Sequence, residues 1–286
     1  MRTHAIILVG AIWLTATLAV AHPPVVQPAT PFASGLAGPE GLAFGKDGSL
    51  YVGTTNGDVR RVAADGSHTL VGSTGDSLAG ITVMKDGKIL ACSVGNNRVW
   101  SIDPATGAAS VYANVNSPNF VVQTRYGHVL ASSTFTGSIV DITNGANVVL
   151  ASGFPFPNGL AVRKRYLYVA DTAMASVQRL PFVTPGVLGP AEPYASGMSL
   201  ADGIAFDRPG NLFVVGGDKL YVVDATTQAV TTFSDALYDF PSNLAFGNST
   251  PYGRKTMFFA NYGAPLGSGT TIVRVETNHT GAKLIR

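Results

Sequence analysis

The sequence has few charged residues and a single cysteine. Charged side chains make up 13% of its 286 residues, and the formal net charge is only +2. With no basic stripe and no acidic tail, the chain offers nothing that would attract nucleic acid or a cationic partner. Cys92 has no second cysteine with which to form an internal disulfide, and its apolar neighbours in "ILACSV" predict a buried structural thiol.

A convincing helical pattern is also missing after residue 21. In its place the sequence has 33 glycines, 17 prolines and many Val and Thr residues. This composition is typical of short strands joined by tight turns. The chain is therefore expected to be β-rich.

The N-terminus has the layout of a secretory signal. Arg2 precedes an apolar run from Ala5 to Val20, and Ala19-Val20-Ala21 supplies small residues before His22. We expect cleavage after Ala21 and a secreted or periplasmic mature protein without stable membrane association. The alternative is a membrane anchor, but the apolar run is shorter than the roughly 20 residues needed to span a bilayer.

An internal repeat fixes the expected architecture. Six short apolar runs, each preceded by a polar or small residue, recur about every 40 residues. The aligned positions are Glu40, Ala79, Asn119, Asn158, Asp202 and Asn243. Three further strand-like segments follow each run, and four strands per period of about 40 residues is the pattern of a propeller blade. The sequence predicts an all-β, six-bladed β-propeller with four antiparallel strands per blade over residues 32–286, after a signal peptide at 1–21 and a Pro-rich lead at 22–31.

Circular closure of the repeat predicts a ring of polar side chains. The first strand of each blade lines the channel, so the six aligned positions should meet at one mouth. Two carboxylates and three amides are a set of oxygen donors that suits a hard cation such as Ca²⁺ or Mg²⁺, whereas Zn²⁺ in structural sites prefers His and Cys. The alternative is that each Asn or Asp only makes a turn before the strand.

Three segments carry a family resemblance. "GPEGLAF", "FPNGLAV" and "LADGIAFD" resemble the metal-site segments of the senescence-marker-protein-30/gluconolactonase family. The resemblance implies a six-bladed propeller that holds one divalent cation, usually Ca²⁺ with Mg²⁺ or Zn²⁺ as alternatives, through Glu40, Asn158 and Asp202. It further implies that the cation polarises a lactone or ester carbonyl and that Asp202 is the base that activates water. Asn119 falls where the family has an asparagine that faces substrate or metal.

The substrate region departs from the family pattern. The family commonly continues Asn-Asp-Gly where this chain has Asn119-Phe120-Val121, and a sugar-contacting arginine has no obvious counterpart. Both departures weigh against sugar lactones. The aromatic residues expected around the mouth favour an apolar or aromatic small-molecule lactone or ester. The residues expected to face the substrate are Asn119, Phe120, Phe156, Asp171, Asn243 and Asn261. Phe154, Phe240 and Tyr262 are expected on the same rim, and Asp171 could be an outer-shell carboxylate, an alternative base or a turn residue.

Two other functions remain open. Propellers are common interaction platforms, so this one could bind or scaffold a ligand without catalysis. Secreted natural-product biosynthetic propellers, either strictosidine-synthase-like or cycloaddition-type enzymes, form bonds without metal hydrolysis. An aromatic pocket without a sugar-binding arginine also suits that class. In each case we expect a monomer.

Overall fold

The structure is a computed structural model that describes residues 28–234, 239–249 and 251–283. The predicted signal peptide and the lead as far as residue 27 lie outside the described residues. The strands form six antiparallel sheets. The first strand of each sheet contacts the first strands of both neighbouring sheets, so the six sheets surround a central channel. The predicted all-β, six-bladed β-propeller is therefore confirmed.

The blades follow one another along the chain, and each runs from the channel outward. The chain enters through β1 (Thr30–Ala33). Blades I to III consist of β2 (Pro39–Phe44), β3 (Leu50–Thr54), β4 (Asp58–Val62), β5 (His68–Ser73), β6 (Ile81–Val83), β7 (Ile89–Ser93), β8 (Arg98–Ile102), β9 (Ala109–Asn114), β10 (Pro118–Gln123), β11 (Val129–Ser133), β12 (Ser138–Asp141) and β13 (Val148–Ser152). Blades IV to VI consist of β14 (Pro157–Arg163), β15 (Tyr166–Asp171), β16 (Ser176–Thr184), β17 (Val187–Leu188), β18 (Glu192–Ser196), β19 (Ala201–Phe206), β20 (Leu212–Gly216), β21 (Lys219–Val223), β22 (Val230–Ser234), β23 (Pro241–Phe246), β24 (Thr256–Asn261) and β25 (Thr271–Glu276).

Blade IV departs from the four-stranded repeat. Its third strand, β16, is nine residues long, and the first half pairs with β18 as in the other blades. The second half turns back through Pro185-Gly186 and pairs with the two-residue β17, which adds a fifth strand. The only helix in the described ranges is a three-residue 3₁₀ turn, Thr143–Gly145, so none of these residues forms a helix that could span a membrane.

The N-terminal strand closes the ring. β1 pairs with β25 in antiparallel register, with Thr30 opposite Arg274, and so becomes the outermost strand of blade VI. Phe32 packs edge-on against Phe258, with ring centroids 4.7 Å apart. The sequence left open whether this segment or the final "AKLIR" completes the last blade. Pairing of β1 with β25 answers that question, and the closing strand begins at Thr30, inside the predicted lead.

Burial explains why the second strand of each blade is so apolar. These strands are buried along almost their whole length because a neighbouring blade covers each face of the sheet. Cys92 lies in β7 and is fully buried, as predicted. The first strands leave a cavity of about 240 Å³ in the channel, lined by apolar side chains such as Val122, Ala161 and Ala205.

Candidate active site at the channel mouth

The ring of aligned residues lies within the first strands. Glu40 in β2, Asn119 in β10, Asn158 in β14, Asp202 in β19 and Asn243 in β23 each occupy the second or third position of the strand. Ala79 lies two residues before β6 and contributes no polar side chain. Since adjacent first strands contact each other around the channel, these positions share one mouth, as the repeat predicted.

A local irregularity re-aims the side chains at five of these positions. The first two strands of each of these blades lose register at the ring residue or directly beside it. The shifts fall between Pro39 and Leu42, Pro118 and Val121, Pro157 and Leu160, Ala201 and Ile204, and Pro241 and Asn243. Such bulges turn a side chain out of the regular alternation and are frequent beside active sites.

Glycines bring neighbouring first strands unusually close. A Cβ added to Gly159 would lie 2.3 Å from the carbonyl oxygen of Asp202, and one added to Gly203 would lie 2.6 Å from the Cα of Asn243. No side chain fits at either position. The Gly that follows Asn158 and the Gly that follows Asp202 therefore allow three ring residues to sit side by side.

Three ring residues present buried oxygen atoms that have no hydrogen-bond partner. These atoms are Glu40 Oε2, Asn119 Oδ1 and Asn158 Oδ1. Asn158 is oriented by a relay, because its Nδ2 donates to Thr172 Oγ1 at 3.3 Å and that hydroxyl donates to the Ala201 carbonyl at 2.7 Å. The relay leaves the amide oxygen free. A buried acceptor without a protein partner is costly, so three of them on one ring make a cluster of acceptors that suits a cation.

The two carboxylates of the ring are electrostatically strained. Burial raises the pKa of Glu40 well above its ordinary value, and the negative charge of Asp202 raises it further. Burial likewise raises the pKa of Asp202 well above its ordinary value. Two carboxylates in this position resist ionising together unless a cation neutralises them.

The donor set fits a hard cation. Carboxylate and amide oxygens are the ligands that Ca²⁺ takes in proteins. Among the described residues, no three His, Cys, Asp or Glu side chains cluster in a way that could hold a metal ion, so a site here depends on the asparagines as well. The histidines at 68, 128 and 279 are engaged elsewhere, with Ser34, Asp141 and Asp207 respectively.

Asn243 differs from the other amides of the ring. Its Oδ1 accepts a hydrogen bond from the backbone N–H of Leu244 at 2.7 Å, while Nδ2 is buried and has no partner. The N–H of Leu244 can only donate, and this fixes which end of the amide is free. Asn243 therefore offers the ring a donor, which a cation cannot use.

Two further predicted residues lie at the ends of second strands. Asp171 is fully buried, and its Oδ1 accepts from the backbone N–H groups of Phe156 and Met174, both at 3.2 Å. Its Oδ2 has no partner, and neither does Oδ1 of Asn261, whose Nδ2 donates to Thr271 at 3.1 Å. Asp171 thus has a turn-stabilising role, with one oxygen still unused.

Aromatic side chains divide between the rim and the core. Phe156 is half-buried and packs edge-on against Phe135, which is 74% exposed and which the sequence analysis did not identify. Phe120 lines the channel cavity, and Phe154 is buried in the core between blades III and IV. Tyr262 is half-buried, and burial followed by the negative charges of Glu40 and Asp202 raises its pKa.

Solved structures with the same fold include a gluconolactonase and a regucalcin, as the resemblance of the sequence predicted. A gluconolactonase from Xanthomonas campestris superposes with a TM-score of 0.73 at 19% identity, over 90% of this chain and 96% of its own. A calcium-binding regucalcin from Agrobacterium tumefaciens gives 0.70 at 18% identity, over 91% and 99%. Virginiamycin B lyase from Staphylococcus aureus gives 0.61 at 16% identity, over 90% and 87%.

Sequence comparisons add a shorter match. Residues 33–62 match the family profile described as strictosidine synthase-like, N-terminal. A search of curated proteins finds no significant match. At sequence identities below 20%, these superpositions establish a shared fold only. That fold is the one of the family that the sequence resembles. The chain is a six-bladed β-propeller similar to gluconolactonases and regucalcin.

Proposed function

We propose that this protein is a divalent-cation-dependent hydrolase of lactones or esters. The observation that carries the proposal is the set of buried, unpartnered oxygens of Glu40, Asn119 and Asn158 on one ring with Asp202. Similarity in fold to a gluconolactonase supports the class of reaction.

Glu40, Asn158 and Asp202 would hold the cation, with Asn119 as a further oxygen ligand. Ca²⁺ suits this set best because it accepts several carboxylate and amide oxygens in flexible geometry, whereas Mg²⁺ demands a stricter octahedron. Zn²⁺ is the least suited of the three, since its structural sites favour His and Cys. When bound, the divalent cation supplies Lewis acidity to the carbonyl group of the substrate.

Asp202 would act as the general base. Its carboxylate accepts a proton from a water molecule as the water oxygen bonds to the carbonyl carbon. The bond from that carbon to the ester oxygen then breaks, and the leaving oxygen takes up the proton from Asp202. Phe156 and Phe135 form an exposed aromatic edge beside this mouth. We therefore expect an apolar or aromatic lactone or ester as substrate.

The test combines metal analysis with activity assays. Purified protein should contain one divalent ion per chain, and it should hydrolyse members of a panel of aryl esters and alkyl-substituted lactones. Chelation should abolish turnover, and Ca²⁺ should restore it. A metal-free protein whose turnover is indifferent to chelator would overturn the proposal, and a metal-loaded protein inactive on the whole panel would favour a binding or scaffolding role.

A second candidate is a biosynthetic enzyme that forms bonds in the same pocket. The match of residues 33–62 to a strictosidine synthase-like profile favours it over other non-hydrolytic functions. Product formation that continues in the presence of chelator, with no ester or lactone hydrolysis, would identify this candidate.

We also propose that the protein acts outside the cytoplasm. The support is the signal-like N-terminus, which ends in Ala19-Val20-Ala21. Mass spectrometry of the protein from its native host should give an N-terminus at His22, and an intact Met1 would contradict the proposal.

A further inference from the structure

The extra hairpin of blade IV exposes apolar side chains instead of burying them. Val183 and Val187, on either side of the Pro185-Gly186 turn, are 67% and 49% exposed. A departure from the blade repeat that added stability would be expected to bury such residues. This one places two valines in water, on the face opposite the candidate active site.

The hairpin joins a larger apolar surface on blade III. A Cβ added to Gly186 would lie 2.4 Å from the ring of His128, so the hairpin tip rests on blade III. β17 also contacts β13, where Val148 and Val149 are 54% and 59% exposed. Tyr126, 54% exposed, lies in the turn just before His128. The hairpin patch is defined here as Tyr126, Val148, Val149, Val183 and Val187.

Cations border the hairpin patch. Arg165 accepts a hydrogen bond on its carbonyl from the N–H of Phe182, next to Val183, and Lys164 precedes it. Arg125 adjoins Tyr126, and Lys85 donates to the Arg125 carbonyl at 2.6 Å. None of these four cations has a carboxylate partner within the described ranges. Two carboxylates of blades III and IV are paired with other residues, Asp141 with His128 and Glu192 with Arg179. Asp86, next to Lys85, accepts from the backbone N–H of Lys88.

We propose that the hairpin patch docks the protein reversibly on an anionic lipid surface. Exposed valines and a tyrosine framed by cations suit the boundary between headgroups and acyl chains. Each cation near an anionic bilayer strengthens binding by about fivefold. A second copy of this chain is a poor occupant, because a two-fold contact would bring the same cations together. Docking through this face leaves the channel mouth with Glu40 and Asp202 open to solvent.

Vesicle flotation tests the proposal. Mature protein is mixed with vesicles of phosphatidylcholine alone or with 30 mol% phosphatidylglycerol, at low and high salt. We expect flotation with the anionic vesicles at low salt and little with the neutral ones. Val183→Ser with Val187→Ser should weaken binding about tenfold or more, and Lys164→Glu with Arg165→Glu should weaken it by at least as much.

Matched controls lie elsewhere on the surface. Leu70→Ser removes an apolar side chain of similar exposure, 56%, from blade I. Arg254→Glu with Lys255→Glu reverses two exposed cations in blade VI. Both controls should float like the parent protein, and all variants should keep the parent Tm because the altered side chains are exposed.

Three outcomes would overturn the proposal. The first is absence of flotation with anionic vesicles. The second is equal loss of binding in the control variants, which would indicate general charge attraction. The third is weak flotation combined with tight binding to dextran sulfate that the valine substitutions leave unchanged. This combination would identify an acidic polymer as the partner.

Discussion

The hydroxyl of Ser242 donates a hydrogen bond of 2.9 Å to the backbone carbonyl of Glu40, a residue 202 positions earlier in the chain. The bond joins the first strand of the last blade to the first strand of the first blade. It lies at the ring, beside the carboxylate that we propose as a cation ligand. This contact therefore joins the last blade to the first at the site itself, in addition to the pairing of β1 with β25 that closes the ring.

Removal of this hydroxyl should loosen the site. Ser242→Ala should lower the free energy of unfolding by about 1 kcal/mol, the net value of a typical hydrogen bond, and should weaken Ca²⁺ binding measured by calorimetry. Ser249→Ala is the control, because Ser249 bonds to the Gly48 carbonyl at a longer 3.4 Å, across the same blade junction but on the opposite face. Equal effects of the two substitutions on Ca²⁺ affinity would contradict a specific role for Ser242.

Asp202→Asn should separate ion binding from proton transfer. The amide keeps an oxygen ligand but cannot accept a proton from water, so kcat should fall by about 10²–10⁴-fold. Ca²⁺ affinity should weaken because one negative charge is lost. Asp218→Asn, at an exposed aspartate of the same blade, should change neither quantity. Full activity of Asp202→Asn would exclude Asp202 as the base.

The free energy of unfolding of the metal-free protein should fall as the pH rises. Because the folded-state pKa values of Glu40 and Asp202 are raised, both groups hold protons more tightly in the folded than in the unfolded chain. Their contribution to stability is complete below the unfolded carboxyl pKa of about 4 and is lost as pH rises through the folded-state values.

Ca²⁺ should reverse this loss. In chelator, thermal melts should show the loss of stability as the pH rises above about 4. The increase in Tm on adding Ca²⁺ should therefore be larger at neutral than at acidic pH. Glu40→Gln should reduce the loss in chelator, since one of the two raised carboxyl groups is gone. A Ca²⁺-induced Tm shift independent of pH would argue that the ion binds elsewhere.

Close packing of first strands should make Gly203 intolerant of substitution. Gly203→Ala places a Cβ 2.6 Å from the Cα of Asn243 and 2.7 Å from the carbonyl oxygen of Ser242, both backbone atoms that cannot turn aside. We expect a loss of about 1–3 kcal/mol in the free energy of unfolding. Gly95→Ala, where an added Cβ meets nothing within 4 Å, should be close to neutral in denaturant titrations.

Sequence analysis predicted the ring well because the repeat is regular. Spacing of about 40 residues fixes which positions meet once the fold closes, without knowledge of any side-chain contact. It could not reveal that Asn243 presents an N–H to the ring, since that depends on the hydrogen bond from Leu244 to its other end. Nor could it distinguish Phe156, on the rim, from Phe154, in the core, because both lie in the same apolar loop.

Irregularities were harder to interpret than repeats. The interval between Asn158 and Asp202 is longer than the other intervals of the repeat, but the spacing alone does not show where the additional residues lie. The structure places them in the β16–β17 hairpin. Likewise, the sequence left open whether the lead segment near Phe32 or "AKLIR" completes the closing blade, and the pairing of Thr30 with Arg274 decides between them.

The pairing of β1 with β25 has a consequence for how the molecule is made. Among the described strands, β1 leaves the ribosome first and its partner β25 leaves last, so five blades can form while the ring remains open. Long-range pairing of this kind slows folding, and it leaves an unsatisfied strand edge that invites association with other nascent chains. Because β1 and β25 are joined by non-covalent pairing and not by a connecting loop, we expect the closed ring to reopen first at blade VI under tension or heat.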